Sequence, residues 1–183
     1  SFDLSPESVV VASGEEKEFE VTWTMPDGLV WRTLNTIDLR IRSDARTALW
    51  IRWEEPGNTF SLCETVNAGP GHRPGPDGDI VCGPGALPGS AVVLETEFAQ
   101  LGLAGTTVTG SGPTGPSVTL RLPIVLSDAA AHRYSVELAA TDDLELELPA
   151  IGGDELAVDL PDRHLPRRPA ADARQDVAAL NAA

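Results

Sequence analysis

The residues of this chain whose chemistry reaches beyond packing are three histidines, two cysteines, four tryptophans and the adjacent acids Asp142 and Asp143. A histidine acting as general base needs a nucleophile within hydrogen-bond reach and a third group to orient its ring. His72 sits in a glycine-rich stretch, His132 leads into a candidate strand and His164 lies in a basic tail, with no G-x-S-x-G motif beside any of them. The chain is therefore expected not to be an enzyme, with a hydrolase ranked behind every binding role. Cys63 and Cys82 enclose eighteen residues, ETVNAGPGHRPGPDGDIV, with little to bury. Closing a loop of this size with a disulfide gains about 3 kcal/mol in the chain-entropy model. The disulfide is the expected state, two separate buried thiols being the competing one. Zinc is disfavoured, because neither cysteine has a second at the short spacing of zinc sites and His72 would bring the set to only three ligands.

Calcium is the remaining metal to weigh. Asp142 and Asp143 at a strand exit would need Asp3, Glu7 or Asp44 to supply enough oxygens, and no D-x-D-x-D-G array sets them at fixed offsets. Solvated turn acids are the preferred reading, and no cofactor is expected. The tryptophans offer a sugar-stacking platform. Trp23 falls on the apolar side of its strand and belongs in the core, whereas Trp50 and Trp53 must face opposite sides of one strand. An exposed Trp50 flanked by Arg40, Arg42 and Arg52 would form a contact patch for a protein or glycan, against the plainer reading of peripheral packing with cation–π support.

Charge narrows the partners. The 28 acidic and 13 basic residues leave a net −15, which repels phosphate backbones and anionic membrane surfaces, so nucleic acid is excluded as a partner. The balance is uneven: residues 1–162 carry 9 basic and 26 acidic residues, net −17, and residues 163–183 carry 4 Arg and 2 Asp, net +2. Lys17 is the one lysine, and this acidic, lysine-poor composition suits salty or extracellular surroundings. No apolar run approaches the length of a membrane span. The sequence opens at Ser1 with neither methionine nor leader, as a processed chain or a piece of a longer one would.

Positioning these residues falls to β-strands, since 17 Gly and 15 Pro punctuate short apolar runs. Val9 to Val11 form a first strand; Phe19, Val21, Trp23 and Met25 alternate with polar residues; and the runs at Ile37–Ile41, Leu49–Trp53 and Phe60–Leu62 read as three hairpin-linked strands. Ala91–Leu94 follows, and the GSGPTGPS stretch within 106–118 reads as an exposed, unpaired connection. Val118, Leu120, Leu122 and Ile124, then Tyr134, Val136, Leu138 and Ala140, predict two antiparallel strands joined by a turn at Asp128. Two further strands are expected around Leu144–Leu148 and Leu156–Leu160, each with alternating acids that solubilise its outer face. Past residue 161 the pattern stops. Arg163, Arg167 and Arg168 lie among prolines, and AADARQDVAALNAA predicts a short helix bearing Val177 and Leu180. Docking on an acidic neighbour and disorder are both consistent with this tail.

The segments ALWIRWEEPGNTFSLC, TTVTGSGPTGPSVTLRLPIVL and AAAHRYSVELAATDD together resemble an immunoglobulin-like β-sandwich module of bacterial secreted and surface proteins, over roughly residues 15–160. The resemblance implies an all-β, immunoglobulin-like antiparallel sandwich at residues 1–161; the extended tail with its short helix at 162–183 departs from it. It further implies a non-enzymatic structural, interaction or adhesive role at the cell surface, outside the cell or in the periplasm, with a protein partner or self-association. A carbohydrate- or calcium-binding accessory module is the alternative.

Overall fold

The computed structural model describes residues 1–6, 9–10, 14–26, 28–43, 46–66, 79–127, 134–143, 147–148 and 158–159. The expected helix, the tail and the residues Arg163, Arg167, Arg168, Val177 and Leu180 lie outside these, as do all three histidines. The described residues form fourteen strands: β1 Phe2–Ser5, β2 Val9–Val10, β3 Glu16–Thr24, β4 Leu34–Ser43, β5 Arg46–Glu54, β6 Thr59–Val66, β7 Asp79–Cys82, β8 Val93–Glu95, β9 Ala99–Gly102, β10 Thr107–Gly110, β11 Ser117–Leu126, β12 Ser135–Asp142, β13 Glu147–Leu148 and β14 Val158–Asp159. One six-stranded sheet runs β1-β3-β11-β9-β8, with β10 also on β11, and a second runs β13-β12-β4-β5-β6-β7. Both are antiparallel throughout; β14 and β2 make a separate parallel pair.

Period-two patterning explains the layering. Phe19, Val21 and Trp23 of β3 and Val118, Leu120, Leu122 and Ile124 of β11 are buried from the first sheet, and Ile37, Leu39, Ile41, Leu49, Ile51 and Trp53 from the second. They join in one apolar cluster, the arrangement of an all-β sandwich. Thr96 ties the layers together: its hydroxyl donates to the Ala48 carbonyl of β5 at 2.6 Å and accepts from the Phe98 and Ala99 amides in the turn between β8 and β9. Pro123 sits inside a long strand without breaking it. Along β11 on its outer side, pairing with β10 stops at Arg121 and pairing with β9 starts at Ile124, so the proline falls in a gap where no ladder bond is required on that side.

The three hairpin-linked strands read from Ile37 to Leu62 are present as β4, β5 and β6. Three expectations change. The strands at Val118–Ile124 and Tyr134–Ala140 are not a hairpin: β11 pairs with β3, and β12 pairs with β4 in the other sheet. Their apolar faces meet across the core instead of lying side by side, a relation that alternation alone does not distinguish from pairing. The stretch 106–118 is not wholly unpaired, since Thr107–Gly110 forms a hairpin with Val118–Arg121 and only the Gly-Pro tip turns. A strand also precedes the first one expected, because Phe2 and Leu4 alternate with Asp3 and Ser5 and are buried against β3.

Candidate functional site

Trp50 and Trp53 do face opposite sides of β5, but neither indole is open to solvent. Trp53 enters the core, 1% exposed, and Trp50 on the outer face is 4% exposed. The exposed Trp50 expected from the sequence is thus corrected, and register supplies the reason. Arg40 lies directly opposite Trp50 and Asp38 opposite Arg52 on the paired strand. The Arg40 guanidinium rests 3.8 Å above the indole ring, and the indole N–H donates to Asp38 Oδ1 at 3.1 Å. Arg52 closes on the same carboxylate with two bonds of 2.9 Å, from Nε to Oδ1 and from Nη2 to Oδ2. That pairing raises the Arg52 pKa above its ordinary value, against the opposing effect of burial. Arg42 stands apart, paired with exposed Glu137 at 3.1 Å. The four residues share a face, but three of them are engaged in a closed network around Asp38 that leaves no platform for a ring.

The open side of the sandwich is different. β7 ends the second sheet and β8 ends the first, and the Cys63–Cys82 disulfide, whose residues lie opposite one another in the β6–β7 ladder, fastens the terminal strand. Ile80 and Val81 are successive residues and so point to opposite faces of β7, yet they are 43% and 47% exposed. Among the described residues, this strand therefore presents apolar side chains to solvent on both of its faces. The connection from β7 to β8 continues the pattern with Leu87 and Val92, and β8 opens on exposed Val93. Five of the six large apolar side chains that stay exposed among the described residues therefore lie within residues 80–93, along the side where both sheets end.

At one end of the sandwich a cleft of about 380 Å³ is lined by Trp31, Arg32, Trp53, Glu55, Asn58, Val108, Gly110, Gly112 and Pro113. A short 3-10 turn, Trp31–Thr33, places the Trp31 indole so that its N–H donates to the Gly112 carbonyl at 2.7 Å. A β-carbon at Gly110 would stand 2.3 Å from that ring, so the position admits only glycine while the ring stays. Arg32 stacks on Trp31 at 4.0 Å and donates to Glu55 Oε1 at 2.6 Å. Asn58 adopts a left-handed backbone with φ 47°, and its Oδ1 accepts from the Trp53 indole at 3.0 Å. The alternation that locates the β5 and β6 strands says nothing of Arg32, Glu55 or Asn58. The available signal was an asparagine after Pro-Gly, close behind a tryptophan and two acids.

Among the described residues the calcium candidates do not converge. Asp142 ends β12 and Asp143 follows it, the Asp143 amide donating to the Thr33 carbonyl at 3.0 Å, while Asp3 belongs to the other sheet and Glu7 and Asp44 lie outside the described residues. Among the described residues no three His, Cys, Asp or Glu gather at metal-binding distance, and no helix is long and apolar enough to cross a membrane. Comparisons of the chain with protein-family models, with curated proteins and with solved structures found no match.

Proposed function

We propose that this chain is a non-enzymatic, immunoglobulin-like interaction module working outside the cytoplasm, a subunit or display domain of a surface assembly that meets its neighbour along the open side at residues 79–93. The observation that supports this most is the bare β7, with Ile80 and Val81 exposed on both faces beside Leu87, Val92 and Val93. Unpaired edge strands recruit other strands, and proteins that keep such an edge unused blunt it with lysine, proline or a covering loop. Here the edge carries apolar β-branched residues, which suit strand addition by a second copy. The Cys63–Cys82 disulfide fits an oxidising compartment and holds the edge in place. In such an assembly the tail arginines Arg163, Arg167 and Arg168 meet the acidic surface of the next copy.

Hydrogen exchange followed over a range of protein concentrations tests the assignment. Amides of 79–82 and 93–95 are expected to gain protection as concentration rises, while those of β1, the opposite edge of the first sheet, stay unchanged. Protection at 79–95 that does not depend on concentration would remove the open side as the site of association.

A further inference from the structure

The cleft beside Trp31 is separate from the open edge, and its chemistry is that of a small-molecule site. We propose that it binds a short, uncharged saccharide, of mono- to disaccharide size. Three observations carry the assignment.

The first is charge. Arg32 and Glu55 neutralise one another across the cleft wall at 2.6 Å, so a ligand of either sign meets one repulsive partner; a neutral ligand meets none. The second is the remaining hydrogen-bond capacity. Arg32 uses one of its five N–H donors on Glu55, Glu55 keeps a second carboxylate oxygen, and Asn58, whose carbonyl oxygen is taken by Trp53, keeps both amide N–H donors. Donors and acceptors side by side suit vicinal hydroxyls, each of which donates and accepts. The third is rigidity. Arg32 is held by stacking on Trp31 and Asn58 by the Trp53 indole, and the two rings lie 6.4 Å apart in the sandwich end, so the polar groups are placed before a ligand arrives. Val108 and Pro113 supply an apolar wall for the C–H face of a sugar ring.

Titrating the full chain with glucose, galactose, mannose, N-acetylglucosamine and their disaccharides, and following the four indole N–H resonances by NMR, tests this. The Trp31 and Trp53 signals are expected to move with at least one sugar while those of Trp23 and Trp50 stay. Arg32→Met keeps an apolar stem over Trp31 and removes the guanidinium; it is expected to weaken binding by about tenfold or more while the Trp23 and Trp50 indole signals stay at their parent positions, which reports an intact core. Val93→Lys, on the open edge, is expected to bind as the parent does, which separates this site from association. Indole signals indifferent to every sugar, or an Arg32→Met chain that binds like the parent, would overturn the proposal. Shifts produced by capped tripeptides but by none of the sugars would overturn it too and make the cleft a peptide groove.

Discussion

Asp38 is the acceptor around which the outer face of β4 and β5 is organised, taking one bond from the Trp50 indole and two from Arg52 while only 7% exposed. Removing a buried carboxylate that partners a half-buried cation and an indole N–H costs far more than removing an exposed one. Asp38→Ala is expected to lower stability by about 3 kcal/mol in denaturant titrations, whereas Arg42→Ala, which breaks only the exposed pair with Glu137, should change it by less than about 1 kcal/mol. A raised arginine pKa stabilises the fold at every pH below the unfolded value and loses that contribution only as pH rises through the folded one. Arg52 therefore adds no pH dependence at neutrality. Gly110→Ala places a methyl group against the Trp31 ring and is expected to cost about 1–3 kcal/mol and to perturb the cleft. The opposite facing of Trp50 and Trp53 follows from their spacing in the sequence. The Arg40 cover on Trp50 does not, because it depends on a register set across the β4–β5 turn.

At the level of elements, alternation located nearly every long strand but not its partners. β4, β5 and β6 were legible because short turns oblige neighbours in sequence to pair. The seam between β11 and β12 was not, since two inward apolar faces fit one core either as a hairpin or from opposite sheets. The open edge escaped notice for a related reason: Ile80 and Val81 resemble any buried β-branched pair until it is known that, among the described residues, no further strand pairs beyond β7. The disulfide is what makes that terminal strand tenable, as among the described residues its four residues pair with β6 alone. Reducing it is expected to lower stability by about 3 kcal/mol. The loss should appear first as faster hydrogen exchange at residues 79–82, with β3 and β11 unaffected; uniform acceleration through both sheets would mean that the bond supports the whole core instead.

The whole chain carries a net −15, so any two copies repel at long range. Apolar association at a short edge then has to overcome that field, and salt screens it. Self-association is expected to strengthen between low and moderate ionic strength, the reverse of a contact held by ion pairs. If instead the cationic tail on an acidic neighbour dominates, added salt weakens association, and comparing the two trends separates edge from tail. The most direct test is the mass of the chain by light scattering, measured for the parent, for Val81→Lys with Val93→Lys, and for a chain ending at residue 161. Both lysines replace exposed side chains, 47% and 52%, so the fold should tolerate them. The account predicts a parent mass that rises with concentration above 19.3 kDa and a doubly substituted chain that stays at it. A parent that remains at the single-chain mass at every concentration and salt, or one whose association survives both lysines, would contradict it.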